Sequence, residues 1–201
     1  MGRKAIQRER KNNPEKMGDW TQKLFPFFQK HGLDHVTMDE IADYLGKSKT
    51  TLYDYFQTKE ELLSVIVTDR IEAIRGFAAY LQDEKQDFKA RYMNAVAYVS
   101  GQVADITTLF LRDLHEFFPQ IWEKIDAFVI ESTEVLKTFY KQGIEAGYFT
   151  SYNVSVLILT DQVFFHALTN PTLLERLNLN VNSAFIEYLN LRFEGLLKVK
   201  K

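Results

Sequence analysis

The chain has 201 residues, 46% of them hydrophobic, with no cysteine and a formal net charge of −2. That composition fills a core and excludes global disorder, and the missing cysteines exclude disulfides and thiolate metal sites. No run of 18 apolar residues occurs, so no membrane span is expected, and a reducing, cytoplasmic setting fits.

The charge is unevenly placed. Residues 1–59 carry 11 Lys and Arg against 8 Asp and Glu, while residues 60–201 carry 14 against 19. The N-terminal part is thus +3 and the remainder −5. A modest positive excess at one end gives weak support for a polyanionic partner.

Residues 1–14 hold Arg3, Lys4, Arg8, Arg10 and Lys11 and read as a mobile basic arm. The start is basic but lacks the apolar run of a signal peptide, and Ile6 stands where a myristoylation motif needs Ser or Thr. Residues 15–31 follow as a first helix with Trp20, Leu24, Phe27 and Phe28 on its apolar face. Pro26 falls inside it, where a lost hydrogen bond and ring clash cost about 3 kcal/mol, so a kink is expected.

Residues 37–63 carry the strongest signals. Thr37 with Glu40 forms a capping box, and Ile41, Ala42 and Leu45 recur at helical spacing. Gly46 marks a turn, Ser48 caps a short second helix through Tyr53, and Thr58 with Glu61 opens a third. Two short helices across a tight turn, backed by a supporting helix, form a helix-turn-helix.

The order and spacing of Thr37, Ile41, Ala42, Gly46, Ser48, Leu52, Tyr53, Phe56, Lys59, Glu60, Glu61 and Leu62 resemble the TetR-type transcriptional regulators. The close match covers residues 15–65. Lys47 departs from the pattern, standing where the family usually has an apolar turn residue. The resemblance implies an all-α fold. A helix-turn-helix DNA-binding head (residues 15–60) is joined by a continuous helix to an effector-binding and dimerisation module (residues 61–201). It also implies that the helix from residue 58 carries the signal between them.

Beyond the head, a helix over residues 58–81 is predicted from Leu62, Leu63, Ile66, Ile71, Ile74, Phe77 and Leu81. Two helices over 84–116 are predicted to meet near Gly101. A long one runs from Pro119 to Gly147, an apolar one covers 152–169 and ends at Asn170-Pro171, and the last covers about 182–198. The last two are apolar on more than one side, which asks for a second surface, such as a twofold copy of the chain.

The chemistry follows from these placements. Lys47, Lys49, Tyr53, Tyr55 and Lys59 are expected on phosphates of double-stranded DNA, with Thr37, Ser48, Thr50 and Thr51 completing the contact surface and Thr50 and Thr51, with Lys49, nearest base edges. Tyr98, Phe110, His115, Phe118, Trp122, Gln162 and His166 are candidates for a pocket holding an apolar or aromatic effector. Leu157, Phe164, Phe165, Leu168, Phe185, Tyr188, Leu189 and Phe193 are candidates for a homodimer interface. No catalytic set, metal spacing, glycine-rich phosphate loop or nucleophile elbow is visible, so neither an enzyme nor a cofactor is expected. The function expected is a regulator, most plainly a repressor released from a palindromic operator. The alternative is a ligand-binding or protein-interaction module that does not bind DNA.

Overall fold

The structure is a computed structural model that describes Lys11 and residues 13–197. Most of the basic arm expected over residues 1–14 lies outside the described residues.

The first three helices are α1 (Pro14–His31), α2 (Met38–Tyr44) and α3 (Lys49–Tyr53). Asn13 caps α1 by accepting the Lys16 N–H, and Pro14 sits at its first position, where the missing N–H is no loss. Helix α1 runs on through Pro26, which lies on the exposed face, so the carbonyl it leaves unpaired is on the solvent side. The Thr37–Glu40 capping box is present in both directions. Its N–H and hydroxyl donors hold the Glu40 carboxyl below its usual pKa. Gly46 makes the turn at φ +64°, a left-handed conformation that disfavours any side chain. Trp20, Leu24, Phe28, Leu33, Ile41, Leu52, Phe56, Leu62 and Leu63 close the core of this head.

The supporting helix is shorter than the sequence implies. It divides into α4 (Lys59–Arg75) and α5 (Phe77–Gln82). The Tyr98 hydroxyl donates to the Ala73 carbonyl at 2.7 Å, and the backbone there changes to a tight Gly76 N–H to Ala73 bond. Next come α6 (Phe88–Val103), α7 (Thr108–Phe117), α8 (Pro119–Glu145) and α9 (Val154–Leu168). Gly101 lies inside α6, so the expected break there is corrected. The chain turns at residues 104–107 instead, where Thr107 caps α7 by accepting the Phe110 N–H. Asn170-Pro171 ends α9 and also starts a helix the pattern missed, α10 (Pro171–Leu177), before α11 (Val181–Leu196).

Helix α4 packs against α1, α6 and α8, α9 packs along α8, and α11 lies on α6 and α9. Buried polar contacts fix how head and body meet. Asp113 on α7 accepts the Leu33 N–H at 2.7 Å, just beyond Gly32. Gly32 has φ +74°, and a side chain there would also strike that carboxylate. Gln29 accepts the Thr107 N–H at 2.6 Å. Its own amide nitrogen is buried without a hydrogen-bond partner. Arg75 pairs with Glu131, and Lys124 donates to Ser64 and Thr68, tying α4 to α8.

A second buried network centres on Asp161 of α9, which is fully buried. It accepts Tyr140 at 2.8 Å from α8, and Tyr188 at 2.6 Å and Arg192 at 3.0 Å from α11. Burial opposes the charge and outweighs these partners, so the Asp161 pKa is raised. A carboxyl held more protonated in the folded state than in the unfolded chain contributes most at acid pH. That contribution is lost as pH rises through the folded pKa. Asp161→Ala leaves three polar groups without their partner and is expected to cost about 3–5 kcal/mol in urea unfolding. Across the same measurements from pH 4 upward, the stability difference between Asp161→Asn and the parent chain moves in favour of the variant. A difference that is flat with pH contradicts the raised pKa.

Candidate nucleic-acid interface and effector cavity

Helix α3 is only five residues long, and its dihedrals are set from both ends. Ser48 caps it by accepting the Thr51 N–H, and the two hydroxyls lie 2.8 Å apart. Leu52 is fully buried and pins one face to the head core. The other face therefore points outward, and Lys47, Ser48, Lys49, Thr50 and Tyr53 are exposed there, with Thr51 half-buried. Exposed hydroxyls and ammonium groups on the leading turn suit base edges and phosphates.

Several expected DNA residues have other work. Lys49 is paired with Asp39 of α2 at 2.6 Å, so a phosphate must compete with that carboxylate. The Thr37 hydroxyl is held in its capping box. Tyr55 is corrected outright: it is buried, packing edge-on against Trp20 at 4.9 Å with Lys16 over its ring. Lys59 is corrected too. Its ammonium donates to the carbonyls of Leu33, Asp34 and Val36 at 2.7, 3.3 and 2.9 Å and lies over the Phe118 ring. An ammonium has three donors, so this clamp leaves none for phosphate. Burial lowers the Lys59 pKa, while the nearby carboxylates Glu60, Asp34 and Asp113 act against it. At the far end of α3, Lys11 bonds Asp54 through both its N–H and its ammonium.

Between the helices of the body lies a cavity of about 190 Å³. Its wall comes from α4 (Val67, Arg70, Ile71, Ile74), α6 (Tyr92, Ala95, Val96, Val99, Val103), α7 (Phe110, Leu111) and α8 (Ile125, Phe128, Val129, Leu136). Phe165 and Leu168 of α9 and Val181, Phe185 and Leu189 of α11 also line it, as do Phe25 of α1 and Phe77 and Leu81 of α5. Of the expected effector residues, only Phe110 lines this space. Tyr98 is bonded to Ala73, and His115 is exposed against Trp122. Phe118 is packed under Lys59, Gln162 donates to Thr133, and exposed His166 faces Asp126. The real wall is largely aliphatic, and its signal in sequence is indistinguishable from ordinary core spacing.

Six of the eight expected dimer residues point inward, while Phe164 and Tyr188 are half-buried. Phe165, Leu168, Phe185 and Leu189 face the cavity. Leu157 and Phe193 are buried, and Phe164 stacks on Tyr188 at 3.7 Å. The apolar surface left open is Val156, Leu159 and Val163 on α9, with Leu191 on α11, exposed by 55, 59, 62 and 70%. Residues 156, 159 and 163 share one helical face.

The reassignment of Lys59 has a direct test. Lys59→Met is expected to lower stability by about 1–3 kcal/mol, because three carbonyls lose a charged donor. The number of ions released on binding duplex DNA should stay unchanged. A fall in salt slope of about one would return Lys59 to the phosphates.

Residues 27–66 match the sequence model of the bacterial regulatory proteins of the tetR family. An uncharacterised HTH-type transcriptional regulator of Bacillus subtilis, YvaF, is 24% identical over 107 residues, which span 50% of this chain and 53% of that protein. The match thus covers about half of that relative. Among solved structures, the TetR-family regulator PfmR from Thermus thermophilus superposes with a TM-score of 0.66 at 18% identity, over 89% of this chain and 99% of that one. A TetR transcription regulator from Haloarcula marismortui gives 0.68 at 16% identity, over 92% and 100%. The fatty acid degradation regulator FadR from Bacillus halodurans gives 0.65 at 16%, over 91% and 96%. Those likenesses establish the fold, and the segment that matches the tetR-family model coincides with the helix-turn-helix that carries the exposed face of α3.

Proposed function

We propose that the chain is a homodimeric transcriptional regulator, a repressor that leaves a palindromic operator when an apolar small molecule fills the cavity. The observation that carries the DNA-binding part is the outward face of α3, with Lys47, Ser48, Lys49 and Thr50 exposed inside a tetR-family segment. Thr50 stands nearest the base edges and Lys47 on phosphate. In a twofold dimer each α3 meets one major groove, with half-sites about 34–36 Å apart or a multiple of that.

The dimer reading is supported by the open stripe on α9 and Leu191. Val156, Leu159 and Val163 on one face of α9, and Leu191 on the adjoining α11, are exposed by more than half and form a surface that association would cover. The effector reading is supported by the cavity and by its wall, which includes the helix that follows the reading head. A hydrocarbon-lined space also fits the likeness to a fatty acid degradation regulator. A ligand that prefers one arrangement of α4 shifts DNA affinity by its differential affinity, and operator DNA must weaken ligand binding by the same factor.

A reading without DNA draws support from the pairing of Lys49 with Asp39 and of Lys59 with backbone. Selection of bound duplexes from a random pool, at two salt concentrations, separates the two. An enriched palindrome is expected. Thr50→Ala then loses about 1–3 kcal/mol of discrimination at one base position, whereas Lys47→Ala weakens every sequence and lowers the salt slope by about one. Salt-sensitive binding with no enriched sequence would sink the regulator reading. For the dimer, Leu159→Glu with Val163→Glu is expected to halve the sedimenting mass; an unchanged mass places the interface elsewhere.

A further inference from the structure

The two lysines beside the turn of the helix-turn-helix stand in different surroundings. Lys47 is exposed and has no ion-pair partner among the described residues. Lys49 is held by two neighbours. Its ammonium lies 2.6 Å from one carboxylate oxygen of Asp39 and donates to the other at 2.9 Å. The Tyr53 ring, one turn along α3, has its centroid 6.0 Å away. Asp39 belongs to α2, so the pair links the two helices at the surface, with side chains 58 and 59% exposed. The hydrogen bond to Asp39 raises the Lys49 pKa, so the lysine stays charged.

An exposed ion pair adds little to stability, so its weight lies in what it does to a partner. Taken together the two charges cancel. A phosphate that approaches Lys49 also meets the Asp39 carboxylate, and repulsion by one offsets attraction to the other. A base edge has no net charge and escapes that repulsion. An ammonium has three donors, and one engaged with a carboxylate keeps at least one for a base. Guanine places two acceptors, N7 and O6, side by side in the major groove, and either takes that proton. Adenine sets an amino donor beside its N7, and thymine sets a methyl group near its O4, so both offer an ammonium less.

We propose that Lys49 reads a guanine in each operator half-site and that Asp39 is the positioning residue that keeps its ammonium off the phosphates. This rests on the reading of the chain as a DNA-binding regulator and adds one base to its operator. It also divides the work between the lysines. Lys47, without a carboxylate beside it, supplies charge to the backbone, and Lys49 supplies sequence. Asp39 then acts against binding to the wrong duplex, because a site without the guanine leaves its carboxylate near phosphates with nothing gained in return.

Duplexes selected from a random pool by the parent chain and by each variant give the base preferences, and titrating the selected duplex at several salt concentrations gives the salt slope. The parent is expected to enrich guanine at one position of each half-site. Lys49→Met should lose that preference by about fivefold to a hundredfold, keep the other positions and leave the salt slope unchanged. Lys49→Gln should do the same and covers the case that the methionine variant misfolds. Asp39→Asn should relax the same position and steepen the salt slope by about one, because the freed lysine moves to a phosphate. Asp39→Asn combined with Lys49→Met should return the slope to the parent value, which separates a released lysine from the mere loss of a repelling carboxylate. A Lys49→Met chain with its consensus intact and a slope lower by about one puts Lys49 on phosphate and overturns the assignment, while the regulator reading stands. A position that Lys49 controls but that selects another base overturns the choice of guanine. A slope that stays steep in the double variant, or an Asp39→Asn chain identical to the parent, overturns the role of Asp39. If the parent enriches no sequence at all, the regulator reading falls and this one with it.

Discussion

The loop between α1 and α2 is held from two sides, and the geometry of the head depends on it. Asp113 takes the Leu33 N–H from the body, while Lys59 gathers the carbonyls of Leu33, Asp34 and Val36 at the start of α4. A loop without regular structure cannot satisfy its own peptide groups, so buried partners must do it. The partners used here are charged, which makes each bond stronger and its loss costlier than a neutral one. Because they come from α4 and α7, the path of the chain into α2, and hence the pose of α3, is set by two helices that also border the cavity.

That arrangement gives the proposed coupling between cavity and α3 a physical path. Arg70, Arg75 and Lys124 connect α4 to the α6–α7 turn and to α8, through polar contacts that are at least partly exposed. Apolar walls on α4, α6, α7 and α8 surround the space between these ties. Under the proposed function, a ligand in that space would act on helices already coupled by discrete bonds, which switch partners rather than stretch. The network of Asp161 with Tyr140, Tyr188 and Arg192 works differently. It fixes α9 and α11 against α8, on the helices that carry the open aliphatic side chains Val156, Leu159, Val163 and Leu191.

Local signals were legible in the sequence and long-range ones were not. The Thr37–Glu40 box, the Ser48 cap, the Gly46 turn and Pro119 at the first position of α8 each depend on residues within four positions, and all are present. Asn170-Pro171 was half-read, because the same pair stops one helix and caps the next, with Pro at its first position. Gly101 misled because an isolated glycine costs a helix only about 1 kcal/mol, which packing in α6 offsets. Lys59 and Tyr55 looked like DNA contacts because cations and phenols beside a recognition helix usually face outward. Their actual partners, loop carbonyls and Trp20, are more than twenty residues away along the chain.

The interchange of cavity and surface residues on α9 and α11 has a single cause. A helix apolar all round shows that more than one surface must be covered, but not which residues face which surface. Size tempts the reader to put Phe164, Phe165, Phe185 and Phe193 at an interface. The fold instead turns Phe165 and Phe185 to the cavity and closes Phe193 into the core, where large rings bury the most area. Smaller aliphatic side chains, Val156, Leu159 and Val163, are left outside. The cavity is thereby lined by the residues a bundle would otherwise use to fill itself, and the space between them is what a ligand can occupy.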